Sequence, residues 1–216
     1  DCAEPVLGYM VEAAALGAAL YAAVASDTRI KLLSGAKIES VTLGDPCAVL
    51  KLATGEVQAP LVVGCDGRRS IVRKAAGLRF EGHDYDATAI STTVKLGRPH
   101  NGAARQVFLP GGPMAVLPLK GDRANLIWTE TRAVAEALVA LDDRGFELEL
   151  AKKAGDFLPD ATLAGPRHAF PIGLYVAERF DAHRVALAGD AAHVIHPLAG
   201  QGLNLGLKDV AALVDV

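Results

Sequence analysis

Residues 184–206 read RVALAGDAAHVIHPLAGQGLNLG, and few folds can accommodate them. An apolar run reaches Gly189-Asp190, a loop marked by Pro197, Gly200 and Gly202 follows, and from Leu203 the pattern turns helical. Strand, glycine turn and helix in that order belong to an open α/β sheet, which takes its ligands at the carboxyl ends of its strands. Asp190 there can accept hydrogen bonds from sugar or polyol hydroxyls. Gly200 and Gly202 remove the Cβ atoms that would keep the backbone off a planar ring. A helix starting at that point aims its free N–H groups and positive dipole end into the loop, which suits a ligand gaining negative charge. The stretch reads as one lip of a nucleotide site, yet no G-x-G-x-x-G occurs anywhere in the chain.

A second strand-turn-helix signal is LVVGCDGRRSIVR at 61–73, with Asp66-Gly67 at the strand end and Ser70 placed to cap the helix. Alone, a DG turn after a strand is only a turn. Upstream, Val11, Leu16, Leu20 and Val24 predict a helix over 8–25. TRIKLL, AKIESVTL and CAVLKLA read as strands, and Gly77 is placed to end the 70s helix in the left-handed conformation. TAISTTVKLG, ARQVFLPGG, PMAVLPLKGD and ANLIWTE predict a meandering antiparallel sheet. Residues 131–155 return to helix, broken at Asp142 to Gly145, and RHAFPIGLYV is extended again.

Composition narrows the function classes. In 216 residues, 22 Lys+Arg against 25 Asp+Glu give a net charge of -3 with no block of like charges, which argues against a nucleic-acid partner. Three unpaired-looking cysteines, Cys2, Cys47 and Cys65, suggest neither a disulfide framework nor a zinc site and fit a cytoplasmic location. Cys65 reads as a buried small hydrophobe. Asp190, His193 and His196 could be metal ligands or plain structural residues; His-x-x-His without a further carboxylate or Cys in helical register falls short of a metal site, and none is assigned. AAALGAALYAAVA is shorter than the about 20 residues of a membrane span. The opening DCAEPV lacks Met and the closing GLKDVAALVDV has no stop signal, so a fragment of a longer chain is expected.

Taken whole, GDAAHVIHPLAGQGLNLGLKD resembles the second FAD-binding motif of the aromatic-ring flavoprotein monooxygenases (class A), most of all the ubiquinone-biosynthesis hydroxylase subfamily. Gly64, Asp66, Gly67, Ser70, Val72 and Arg73 match that family's G-x-D-G-x-x-S-x-V-R motif. The resemblance implies that Gly189 and Asp190 hold the ribityl chain of FAD. It implies that the backbone from Pro197 through Gly200, Gln201, Gly202, Leu203 and Asn204 cups the isoalloxazine, and that Asp66, Gly67 and Arg73 lie beside the pyrophosphate, with a link to NAD(P)H. It also implies a partial Rossmann-like FAD-binding domain at 1–78, an inserted β-sheet substrate domain at 79–180 and a return segment at 181–216.

The family's N-terminal G-x-G-x-x-G unit and C-terminal helices have no counterpart in these residues, so the fragment is expected to be inactive and to hold FAD weakly or not at all. Ile90, Thr92, Val94, Leu96, Met114, Val116 and Pro118, with Trp128 beyond, form an apolar sheet face that is either core or pocket lining. The low charge suits a hydrophobic phenol, such as a polyprenylated quinone precursor, which would also allow peripheral contact with the inner membrane. The flavin chemistry needs no side-chain acid or base, and no catalytic residue is assigned. Two rivals stay open: another FAD oxidoreductase of this fold, a reductase or halogenase, and a non-catalytic module that has lost the cofactor.

Overall fold

A computed structural model describes residues 8–215; Cys2 and the rest of the opening hexapeptide lie outside the described residues. The chain runs α1 (Ala13–Ser26), β1 (Ile38–Thr42), β2 (Ala48–Leu52), β3 (Gly55–Ala59), β4 (Val62–Gly64), α2 (Ile71–Ala75), β5 (Phe80–Lys95), β6 (Arg105–Leu109), β7 (Gly112–Pro118) and β8 (Arg123–Thr131). It continues α3 (Arg132–Ala140), α4 (Asp143–Ala154), β9 (Thr162–Leu163), β10 (His168–Ala177), β11 (Asp181–Ala182), β12 (Val185–Leu187), β13 (His193–Val194) and α5 (Gln201–Val214). Two compact units result: residues through Leu32 with Asp86–Pro171, and Leu33–Tyr85 with Ile172 onward. The chain passes from one to the other inside β5 and inside β10. This is the expected α/β architecture with an antiparallel sheet inserted in the middle of the chain.

In the first unit β6, β7, β8 and β5 form an antiparallel meander, with Ile90 opposite Trp128 and Trp128 opposite Met114. Period-two alternation sorts its residues onto two faces. Ile90, Val94, Met114, Val116 and Leu126 are fully buried, and they pack with Ala135 and Leu138 of α3 and Phe146 and Leu150 of α4. The Trp128 and Phe146 ring centroids lie 5.7 Å apart. The apolar face is therefore core, covered by helices. The opposite face carries Ser91, Thr93, Ala115, Leu117, Asn125 and Ile127, all half-buried. The predicted helix break falls where Asp142 caps α4, its Oδ1 accepting from Gly145 N at 2.7 Å.

One buried carboxylate shapes the β6–β7 turn. Glu130 accepts from Trp128 Nε1 at 3.3 Å and pairs with Lys153 Nζ at 2.9 Å. A Cβ on Gly111 would overlap that carboxylate, and one on Gly112 (φ +140°) would press on Thr129. Gly111→Ala should therefore destabilise the protein by about 2 kcal/mol through overpacking, read as a lowered urea midpoint with unchanged slope.

In the second unit β1, β2 and β3 form an antiparallel sheet whose two-residue turn joins Leu52 to Gly55. A second sheet has the order β11-β12-β4, in which β12 and β4 pair in parallel, Leu187 opposite Gly64. Ala48, Val62, Val72, Val185, Leu187, Ala191 and Ala192 form the core here. One local expectation fails, and one is met with a later start. TRIKLL is no strand: Thr28 and Arg29 form a turn, and Ile30, Leu32 and Leu33 stay exposed. Its apolar composition raises strand propensity, but no described strand pairs with its backbone. The first helix begins at Ala13, and none of its residues is buried, so Ala-rich propensity carries it rather than packing. Among the described residues no helix is long and apolar enough to cross a membrane.

Asp45 ties the loop before β2 to the β11–β12 turn, accepting from Arg184 at 2.8 Å and facing His183 at 3.2 Å. Its carboxyl is held below its ordinary pKa, first by the Arg184 hydrogen bond and then by His183. A carboxyl depressed in the folded state contributes stability above the ordinary carboxylate range and loses it as pH falls through the lowered value. Asp45→Asn should be less stable than the parent at neutral pH and equal to it in strong acid, in urea melts at each pH.

Candidate functional site

Two turns at the carboxyl ends of the parallel pair β4 and β12 build the site. After β4, Gly67 takes φ +79° and Ser70 Oγ accepts from Arg73 N at 2.9 Å, the cap expected from the sequence. Asp66 Oδ2 accepts from Ile71 N at 2.7 Å and, more weakly, from Val72 N at 3.4 Å. Gly77 ends the helix at φ +67°, with Leu78 N bonded to Arg73 O and Gly77 N to Lys74 O, a Schellman closure. Asp66 thus serves its own helix.

Arg73 reaches further. It is buried; Nη1 donates to Ala191 O and Nη2 to Arg68 O, each at 2.7 Å, and the guanidinium lies 3.7 Å over the Phe80 ring. Burial lowers its pKa. One side chain therefore joins the 66–73 turn to the 189–191 turn. Cys65 corrects the sequence reading: it is exposed at the end of β4, because period-two alternation puts it on the same open face as Leu61 and Val63, opposite the buried Val62 and Gly64. Partial desolvation, then the nearby Asp66 and Asp209 charges, raise its thiol pKa.

After β12, Gly189 takes φ +59° and opens a 3-10 turn closed by Ala192 N to Gly189 O at 2.8 Å. Asp190 at its centre is exposed, and no hydrogen bond or ion pair to its carboxylate is seen among the described residues. His193 donates from Nε2 to Asp209 Oδ2 at 2.7 Å, and His196 Nδ1 accepts from Leu198 N at 3.2 Å. Both histidines have structural partners, and among the described residues no three His, Cys, Asp or Glu gather as a metal set would.

From Pro197 the chain makes a second 3-10 turn, Gly200 N bonding Pro197 O at 3.0 Å, before Gly200 adopts φ +64° and α5 begins. The N-cap of α5 is a glycine, so no cap side chain covers the first amides of the helix. Asn204 Nδ2 reaches Gly200 O at 3.4 Å, and Leu203 is 61% exposed. A Cβ built on Gly189, Gly200 or Gly202 would meet nothing within 4 Å.

These observations test the fit of a flavin nucleotide. The turn and the helix start border open space, one uncommitted carboxylate stands beside them, and a helix N-terminus offers main-chain donors. That donor set suits a polyol and a planar, electron-accepting ring, so the residues fit FAD. The arrangement brings Gly189, Asp190, Pro197, Gly200, Gln201, Gly202, Leu203 and Asn204 onto one continuous segment, with Arg73 behind it. Sequence reasoning missed Gly206 and Asp209, which pack α5 onto the 189–193 turn. Their signal was available, since Gly202, Gly206 and Asp209 share one helix face.

The fold and site define a flavin-nucleotide domain. The chain belongs to the FAD binding domain family, whose model matches residues 46–215. It is 42% identical over 214 residues to a ubiquinone hydroxylase of Rhodospirillum rubrum, covering 99% of this chain and 50% of that protein. It is 37% identical over 222 residues to the 3-demethoxyubiquinol 3-hydroxylase of Escherichia coli, covering 100% of this chain and 53% of the relative. Among solved structures it superposes on a probable FAD-dependent monooxygenase from Pseudomonas aeruginosa with TM-score 0.78 and 28% identity, over 93% of this chain and 58% of that one. The chain spans about half the length of the curated relatives it matches.

Arg73 is the side chain on which the assembly of the two turns should depend. Arg73→Leu leaves Ala191 O and Arg68 O without their donors, and a loss of about 3 kcal/mol is expected in urea unfolding. Arg73→Lys, with one point charge in place of a fork, should recover less than half of it.

Proposed function

We propose that this chain forms the flavin-facing part of an FAD-dependent monooxygenase that hydroxylates an aromatic ring, with NAD(P)H and O2 as co-substrates and a hydrophobic quinone precursor as substrate. The observation that carries the reading is the 189–204 segment, an uncommitted Asp190 followed by an open, glycine-capped helix start. Asp190 would hold the ribityl hydroxyls, and the Gly200 to Asn204 backbone would offer its donors to the flavin ring, where they would stabilise the negative charge of the reduced cofactor. Bound FAD supplies the redox and oxygen chemistry; the protein supplies position, donors and a dry site. In this reading Asp66, Gly67 and Arg73 support the pyrophosphate end by shaping the 66–73 turn, since the Asp66 and Arg73 side chains have partners of their own.

The unit containing residues 33–85 and 172 onward is the cofactor part, and the meander with its two helices is the substrate part. Core packing takes the Ile90, Met114 and Trp128 face out of contention as pocket lining. That leaves the opposite face, where Ser91, Thr93, Ala115, Leu117, Asn125 and Ile127 offer small, mostly uncharged surface to a hydrophobic phenol. Names of the curated relatives support a ubiquinone-precursor substrate for the reading.

The test is turnover of the full-length gene product. Substrate-dependent NAD(P)H oxidation with a ring-hydroxylated product by mass spectrometry is expected with a prenylated phenol. Oxidation without oxygen transfer would sink the hydroxylase reading. Asp190→Ala should weaken FAD retention by on the order of 100-fold, the loss of two hydrogen bonds to a charged acceptor at about 1.5 kcal/mol each.

A further inference from the structure

Helix α5 meets the 189–193 turn along one face. A Cβ added to Gly206 would stand 3.1 Å from Gly189 Cα, so helix and turn touch through bare backbone. Three residues on, Asp209 Oδ2 accepts from Gly189 N at 2.8 Å and from His193 Nε2 at 2.7 Å. The side chains of His193 and Asp209 are only 5% and 16% exposed. His193 packs its ring on Phe180 with centroids 5.6 Å apart, and its Nδ1 is buried without a partner among the described residues. Asp209 is therefore the acceptor that both groups share. One turn towards the N-terminus from Gly206, on the same face, Gly202 looks into open space.

We propose that Asp209 is a positioning residue for the cofactor. By holding the Gly189 amide and the His193 imidazole on one oxygen, it fixes the start of α5 relative to the turn that carries Asp190. It lies two turns from Gly202, too deep to touch a ligand there, and acts only through backbone placement. The inference rests on the flavin reading above. Donors that are fixed before the ligand arrives bind it without an ordering cost; with the latch gone, Gly189, Asp190 and the first turn of α5 must be ordered by the ligand itself. The aspartate is required as an acceptor, because both of its partners are donors, and its charge is secondary.

The experiment measures FAD affinity by flavin fluorescence, the visible absorption change on binding, and the thermal midpoint without FAD. The full-length gene product is compared with its Asp209→Ala, Asp209→Asn, Gly206→Ala and Asp45→Ala variants. Asp209→Ala should lose on the order of 10-fold in FAD affinity and alter the visible band, as the shared acceptor of both hydrogen bonds disappears. Asp209→Asn keeps an oxygen acceptor and should restore affinity to within about 3-fold. Gly206→Ala, which wedges the helix from the turn with Asp209 intact, should weaken FAD in the same direction; this variant decides the matter if Asp209→Ala does not fold. Asp45→Ala should lower the midpoint and leave affinity unchanged. A folded Asp209→Ala, or failing that Gly206→Ala, that binds FAD like the parent overturns the proposal and leaves the flavin reading standing. A parent that binds no FAD overturns both.

Discussion

The guanidinium of Arg73 sits where the two halves of the site meet. Its two donors end on carbonyls of different turns, Arg68 O and Ala191 O, and its flat face rests on Phe80. An arginine suits this position because a planar fork can serve two acceptors at fixed angles while stacking on a ring. Desolvating a cation is costly, and burial does lower its pKa. The cost is offset by two hydrogen bonds at 2.7 Å, to Ala191 O and Arg68 O, and by the stacking on Phe80. The parallel pairing of β4 with β12 brings the turns close; Arg73 fixes their spacing.

Beyond that spacing, the site is shaped by what is missing at four glycines. Gly64 abuts Leu187 and Val72, where a Cβ would lie 2.9 Å and 3.0 Å from side-chain carbons. Gly206 abuts Gly189. These two let β4, β12, α2 and α5 close on each other. Gly189 and Gly200 act differently, since each takes a left-handed φ and has open space around it. The first pair permits packing and the second pair turns the backbone at the site.

Much of this was legible in the sequence because it is local. The Ser70 cap, the Gly77 helix end, the helix break at Asp142 and the meander of β5 to β8 follow from residue type and period within a few positions. The apolar stripe through Ile90, Val94 and Met114 was legible as a face, but whether helices or a ligand covered it depended on α3 and α4 folding back. TRIKLL misled for the converse reason: strand propensity is half of a strand, and the other half is a partner. Arg73 and Asp209 were illegible as tethers because their acceptor and donors lie 118 and 16 to 20 residues away. Cys65 looked like core from its apolar neighbours, but it shares the uncovered face of the strand with Leu61 and Val63.

The two aspartates after β4 and β12 show how equal motifs come to do unequal work. Each follows its strand closely, one in Cys65-Asp66-Gly67 and the other in Gly189-Asp190-Ala191. Asp66 precedes a helix by a few residues, so its carboxylate folds back onto Ile71 N and Val72 N. No α-helix follows Asp190 closely enough to capture it; the chain runs through β13 and a proline turn before α5 starts eleven residues later. The α5 amides and the Asp190 carboxylate are thereby kept from satisfying one another. A site for a polyol joined to an electron-accepting ring needs both an acceptor and a set of donors left over after folding. The 191–200 segment keeps the Asp190 carboxylate apart from the start of α5, while Asp209 accepts from the Gly189 amide.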